Sequence, residues 1–186
     1  MTLKKPFENE YVMTQDWNDP RYRSSYTKFG LLGHNGQDFG CPIGTRITAP
    51  HDGKIVENIL DATGYGWYVK IENDKEGSIL GHFNSQSPCK VGSEVQQGEF
   101  VGLSGNSGNS TGPHLHWGYY RFPRKRDNGF SGTVDQTHWI GLETYEEEML
   151  YERAEKEKYK KEARDLREVT KSQAESIAQA TKEIES

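Results

Sequence analysis

The stretch of sequence that decides the fold is Gly112-Pro113-His114-Leu115-His116-Trp117-Gly118-Tyr119-Tyr120. Proline suits the first residues of a strand, and the aromatic residues after the histidines favour strands. Side chains alternate between the faces of a strand, so His114 and His116 point the same way if the segment is extended. On a helix they would lie about 200° apart. The stretch therefore predicts a strand that presents two imidazoles on one face.

A second polar cluster, His34-Asn35-Gly36-Gln37-Asp38, lies far upstream in the chain. His34 and Asp38 are an even step apart, so an extended backbone would aim both side chains inward. Glycines at positions 33 and 36 allow the backbone to approach closely. Two histidines and one aspartate suit zinc, and three protein ligands leave a fourth position for water. The two clusters together predict a metal-dependent hydrolase.

The rest of residues 1–140 indicates short strands joined by turns. The predicted strands include 46–49, 54–56, 67–72, 78–83 and 98–103, separated by glycine, proline, asparagine and aspartate. Short strands at this rhythm favour a mainly β fold with antiparallel sheets. A Gly/Ser/Asn segment at 104–112 has the composition of a flexible loop.

The composition changes at Gly141, and we predict a helical tail over residues 141–186. This tail contains no proline and only one glycine. Thirteen positions from 142 to 184 keep an alternating 3-4 step, and nine of them are Leu, Tyr, Met, Ala or Ile. Glu152, Lys156, Thr170 and Gln173 interrupt this apolar seam. A marginal coiled coil, a helix docked on a larger partner and an isolated helix all remain open.

Length and charge exclude several classes of protein. The 186 residues fit one domain of ordinary size with an extra segment, and the net charge of −5 offers no electrostatic surface for nucleic acid. No apolar run reaches the roughly 18 residues that a membrane span needs. The first residues lack the apolar core of a secretory signal, so we expect that the protein works in the cytoplasm, where it is made, that a signal was removed before this numbering begins, or that another route exports it. Cys41 and Cys89 are expected to be separate reduced thiols.

Several motifs in order resemble the peptidase family of lysostaphin and LytM, the M23 zinc endopeptidases. The first is His34-Asn35-Gly36-Gln37-Asp38-Phe39, which matches the family's H-x-G-x-D pattern. The others are Gly44 to Pro50 with Asp52 to Val56, Gly64 to Val69, Gly81-His82-Phe83, and Ser110-Thr111-Gly112-Pro113-His114-Leu115-His116. The resemblance covers roughly residues 25–140. Leu80-Gly81-His82-Phe83 replaces the family's usual Tyr-Ala-His-Leu and would reshape one wall of the groove.

The resemblance implies that His34, Asp38 and His116 bind one zinc ion per chain. It also implies that His82 and His114 are catalytic histidines beside the metal, without deciding which is the general base.

Two further side chains receive an expectation. Tyr65 would line the substrate groove, although a packing role is as plausible for this aromatic residue. His51, in the turn Pro50-His51-Asp52-Gly53, is expected to be an exposed turn residue.

The leading hypothesis is a zinc endopeptidase that hydrolyses peptide bonds in the cross-links or stems of bacterial peptidoglycan. Without a visible export signal, it resembles a phage or prophage lysin, which acts on the wall after release or as part of the virion. The helix over 141–186 would then mediate self-association or docking to a larger assembly. The alternative is a non-catalytic module of the same fold that binds or activates other wall proteins. A lipoyl or biotinyl carrier domain would leave the histidines unexplained.

Overall fold

The computed structural model describes residues 3–141 and 145–185 and divides the chain into two compact units, Met1–Leu142 and Glu143–Ser186. The described residues of the first unit form nine strands. They are β1 (Val12–Gln15), β2 (Gln37–Gly40), β3 (Arg46–Thr48), β4 (Gly53–Asp61), β5 (Gly66–Glu72), β6 (Glu76–Phe83), β7 (Glu94–Val95), β8 (Phe100–Leu103) and β9 (Leu115–Arg121). The second unit is one long helix. A short helix α1 (Arg23–Tyr26) precedes β2, and the long helix is α2 (Tyr145–Glu185).

Seven strands form one antiparallel sheet in the order β1-β2-β9-β6-β5-β4-β7. Strands β3 and β8 pair as a separate antiparallel ribbon. Strand β9 lies between β2 and β6, and its register places His116 opposite Asp38 on one side and opposite Gly81 on the other. The centre of the sheet therefore brings together motifs that are distant in sequence.

Strand β9 separates the two faces of the sheet. Leu115, Trp117 and Tyr119 alternate into the main hydrophobic core, which also contains Ile47 and Val101 of the β3–β8 ribbon. His116, Gly118 and Tyr120 occupy the alternate positions and face the other side, where the candidate site lies. Because one face is filled with large apolar side chains, a slip of one residue would bury His116 in the core, and burial thus specifies the register.

The predicted fold class, a mainly β antiparallel domain with a long C-terminal helix, is confirmed. In the described part of the chain no helix has the length and apolar character needed to cross a membrane. Cys41 is buried and Cys89 is half-buried, and both are free thiols. The seam residues Tyr159 and Leu166 of α2 are exposed, at 63% and 67% of their surface.

Candidate metal centre and active site

A groove of about 700 Å³ runs over the face of the sheet that carries His116. One wall comes from the segment 20–31, which contains α1 between two 3-10 turns, Pro20–Tyr22 and Thr27–Phe29. The opposite wall comes from the loop 104–113. All five histidine and aspartate positions that the resemblance implies line this groove, together with Tyr65: His34, Asp38, Tyr65, His82, His114 and His116.

His34, Asp38 and His116 converge on one point at the floor of the groove. Nε2 of His34 lies 3.1 Å from Nδ1 of His116 and 3.2 Å from Oδ1 of Asp38. Nδ1 of His116 lies 3.0 Å from the same carboxylate oxygen. All three residues are buried, and among the described residues they are the one group arranged to hold a metal ion. Asp38 lies in β2 and His116 in β9, whereas His34 lies in the irregular segment before β2 rather than in an extended strand.

The tautomer of His34 supports a cation at this point. Its Nδ1 lies 3.0 Å from the main-chain carbonyl oxygen of Asp16, so Nδ1–H donates and Nε2 is the nitrogen that faces the centre. This Nε2 lies 3.2 Å from the carboxylate oxygen of Asp38 and 3.1 Å from Nδ1 of the second imidazole. A tetrahedral zinc ion with bonds of about 2.0–2.1 Å separates its ligands by about 3.3 Å. The donor set, its spacing and its burial therefore fit zinc.

The electrostatics of the three residues agree with this arrangement. Burial alone would raise the pKa of Asp38, but the adjacent imidazoles of His116 and His34 hold it well below its usual range. Burial lowers the pKa of the His116 imidazole, which opposes its protonation despite the neighbouring carboxylate. An ionised carboxylate and a neutral imidazole are the forms that bind a metal ion.

His114 and His82 lie side by side next to this centre, with ring centroids 4.5 Å apart. Nδ1 of His114 lies 2.7 Å from the carbonyl oxygen of Gly112, and Nδ1 of His82 lies 2.7 Å from that of Ser107. Each ring therefore donates Nδ1–H to the main chain and keeps Nε2 for other partners. Nε2 of His114 lies 3.6 Å from Oδ2 of Asp38, so this ring adjoins the ligand carboxylate.

The backbone at His82 is unusual. Its φ is +61°, in the left-handed region that residues other than glycine rarely adopt. The amide of His82 donates to the carbonyl oxygen of Tyr65 at 2.7 Å, where β6 departs from regular pairing with β5. Burial lowers the pKa of His82 to about 4, assisted by the nearby His116 and His114. The ring is therefore neutral at neutral pH.

Tyr65 fixes the edge of the site beside His116. Its ring centroid lies 5.1 Å from that of His116, and its hydroxyl accepts a hydrogen bond from Nδ2 of Asn35 at 2.5 Å. Asn35 directly follows His34, so this bond joins the β4–β5 turn to the segment that carries two of the three convergent residues. Tyr65 lines the groove and also packs, which combines the two interpretations that the sequence left open.

The prediction for His51 was wrong. Its side chain is 1% exposed, and Nε2 lies 3.0 Å from the hydroxyl of Ser78, which also accepts from the indole N–H of Trp117. A turn sequence indicates exposure only when the turn faces solvent, and here the imidazole is buried against Ser78 of β6.

Some groups that shape the site could not be predicted from residue types in the sequence. The carbonyl groups of Asp16, Ser107 and Gly112 orient three of the histidines, and any residue type can supply a carbonyl. The wall residue Tyr26, whose ring centroid lies 5.3 Å from that of His34, precedes the first matching motif.

The match to a known family agrees with this geometry. A sequence model of peptidase family M23 matches residues 32–128, more than half of the chain. The chain belongs to peptidase family M23. The matched range includes all three convergent residues and both adjacent histidines.

Two relatives have names that state what they cleave. The chain is 35% identical over 121 residues to the peptidoglycan DD-endopeptidase ShyA of Vibrio cholerae, which covers 62% of this chain and 27% of the relative. It is 38% identical over 106 residues to the glycyl-glycine endopeptidase ALE-1 of Staphylococcus capitis, covering 55% and 27%. The match thus spans about a quarter of the length of these relatives.

A solved M23-like structure supports the fold assignment. A zinc-containing peptidase from Vibrio cholerae superposes with a TM-score of 0.60 at 28% sequence identity, over 73% of this chain and 39% of that one.

Proposed function

We propose that this chain is a zinc-dependent endopeptidase that hydrolyses peptide bonds in bacterial peptidoglycan. The observation that carries the proposal is the convergence of His34, Asp38 and His116 at the floor of a groove, with the imidazoles of His82 and His114 beside them. The groove is open to an extended peptide, and M23 relatives whose names specify peptidoglycan or glycyl-glycine bonds support the substrate class.

His34 through Nε2, His116 through Nδ1 and Asp38 through Oδ1 would hold the zinc ion. When bound, zinc supplies a water of pKa about 7 and polarisation of the scissile carbonyl. The chain's own contribution begins with orientation, because the Asp16 carbonyl fixes the tautomer of His34 and the strand pairing of β2 with β9 fixes the other two ligands.

The two imidazoles that are not proposed metal ligands, those of His82 and His114, would carry out proton transfer and orientation. His114 presents Nε2 beside Asp38, where it can accept the proton of the attacking water and return it to the leaving amine. His82 is neutral and lies against the ring of His114, so it would orient the water or the scissile group within hydrogen-bonding reach. The main-chain carbonyls of Gly112 and Ser107 hold both rings in place during these steps.

A clearing assay tests the proposal directly. Purified protein should reduce the turbidity of a suspension of bacterial walls, a chelator should stop the reaction, and added zinc should restore it. His116→Ala should be inactive with or without added zinc. Activity that survives both the chelator and His116→Ala would contradict a zinc mechanism.

The alternative, a non-catalytic module, predicts wall binding without hydrolysis. The three ligand positions carry competent side chains in a metal-binding arrangement, which does not favour this alternative. Mass spectrometry of soluble products separates the two, since hydrolysis releases new amino termini and binding releases none.

The phage-type setting and the role of α2 stay predictions. We propose that α2 pairs with a second copy of itself, because its 3-4 spaced seam includes the exposed Tyr159 and Leu166. Sedimentation should then give a dimer for the wild type and a monomer for Leu166→Glu. A monomeric wild-type chain would refute this pairing.

A further inference from the structure

One positively charged side chain, Lys28, lines the groove. Lys28 is the one lysine or arginine among the residues that line the groove, and Asp61 and the proposed ligand Asp38 are the acidic residues among them. Lys28 lies two residues after Tyr26, whose ring packs at 5.3 Å from that of His34. Lys28 therefore belongs to the same wall segment as a residue that packs against a proposed metal ligand.

The Lys28 side chain reaches from one wall towards the other. Nζ lies 4.8 Å from the centroid of the Phe29 ring and 3.4 Å from Oδ1 of Asn109, on the opposite loop. The next residue in that loop is Ser110, whose hydroxyl lies 3.2 Å from Nδ1 of His114. The ammonium thus sits next to the segment that positions the proposed general base.

Within residues 3–141 and 145–185, no carboxylate lies within ion-pair distance of the Lys28 ammonium. Asp61 instead accepts hydrogen bonds from the amides of Thr63 and Tyr65 in its own turn. The hydrogen bond from the ammonium to the neutral Asn109 amide oxygen is long at 3.4 Å, compared with about 2.7–2.9 Å for a bond from an ammonium to a carboxylate oxygen. Lys28 therefore keeps its capacity to bind an anionic group that enters the groove.

We propose that Lys28 binds a carboxylate of the substrate peptide and selects cross-links that carry a free carboxylate beside the scissile amide over neutral, glycine-only bridges. This inference rests on the proposed peptidase function. Metal and imidazole chemistry is the same for every amide, so the selection must come from the groove walls. Relatives named as a DD-endopeptidase and as a glycyl-glycine endopeptidase both resemble this chain, so the relatives do not decide the bond, and the charge of Lys28 favours a substrate that carries a carboxylate.

Three synthetic peptides test the proposal with the zinc-loaded chain of 186 residues. One has a free carboxylate next to the scissile amide, the second has a carboxamide in its place, and the third is a capped pentaglycine. We expect kcat/KM of the wild type to be about two- to fivefold higher for the carboxylate peptide than for the carboxamide, since an ion pair at an exposed side chain such as Lys28 has about this effect. Added salt should reduce this ratio.

Substitutions assign the ratio to Lys28. Lys28→Met should bring it close to one, and Lys28→Arg should largely preserve it. Lys125→Met removes the same charge from an exposed position outside the groove, and it should keep the wild-type ratio.

Equal cleavage of the acid and amide peptides by the wild type would overturn the inference. Faster cleavage of pentaglycine, or an unchanged ratio in Lys28→Met, would also overturn it. A zinc-loaded wild type that cleaves none of the three peptides would refute the proposed function, and the inference with it.

Discussion

Gly36 lies against the imidazole of His116, and we expect Gly36→Ala to displace this ligand without removing it. A β-carbon at position 36 would lie 2.5 Å from Cε1 and 2.7 Å from Nε2 of His116, and 2.8 Å from the carbonyl oxygen of Trp117. Non-bonded carbon atoms pack at about 3.5–4.0 Å. The ring would therefore have to move by about 1 Å, away from a position that is only 3% exposed.

Such a movement affects both stability and metal binding. Overpacking of a buried site costs about 1–3 kcal/mol, and we expect the metal-free variant to lose about 2 kcal/mol of unfolding free energy. Nδ1 of His116 lies 3.0 Å from Oδ1 of Asp38, so a shift of about 1 Å spoils the shared coordination geometry. Changes around metal ligands lower affinity by about 10–100-fold, and a similar loss of zinc affinity is expected here.

Urea denaturation of the metal-free protein and calorimetric zinc titration measure the two effects. Gly112→Ala is the matched control, because its added methyl group would meet no heavy atom within 4 Å. The control should keep the stability and zinc affinity of the wild type. If Gly36→Ala also kept both, the packing of His116 against Gly36 could not be what holds this ligand in place.

Three further predictions concern the histidines and Tyr65. His116→Ala should lose zinc and wall hydrolysis together, whereas His114→Ala should keep most zinc affinity and lose hydrolysis; loss of zinc in His114→Ala would contradict the assigned roles. Burial lowers the pKa of His82 to about 4 from about 6.5 in the unfolded chain, so the unfolded state takes up its proton first as pH falls. Metal-free protein should therefore lose up to about 3 kcal/mol between pH 6.5 and 4, and urea denaturation of His82→Gln should give a smaller loss. Tyr65→Phe removes the hydrogen bond from Asn35 and should cost about 1 kcal/mol in thermal or urea unfolding; an unchanged stability would make that contact energetically neutral.

The alternating direction of the side chains in and just before β9 is the feature of the site that the sequence predicts best. His114 and His116 line the same groove, and Trp117 turns into the core, as a period of two requires. The register that places Asp38 opposite His116 follows from burial of the intervening apolar residues, which a hydrophobic pattern can indicate. Ordered motifs then locate His82, whose surroundings alone would not single it out.

Alternation fails where the chain leaves regular strands. His34 reaches the centre from the irregular segment before β2, so its agreement with an even spacing from Asp38 has a different cause. His82 adopts a positive φ at the end of the regular β5–β6 pairing, and His51 folds inward from a turn. In each case long-range packing decides the direction of the side chain, and local sequence carries little information about it.

Main-chain carbonyl groups orient three of the four histidines of this site. Asp16, Ser107 and Gly112 each accept a hydrogen bond from a histidine Nδ1 through the backbone. Side-chain substitution at these positions leaves the acceptor in place, so the tautomers depend on the path of the backbone instead. The loop 104–113 supplies two of the three carbonyls and the Lys28 partner Asn109. Catalytic geometry and the proposed substrate selection thus depend on the conformation of the same loop, and a change in that loop should alter both together.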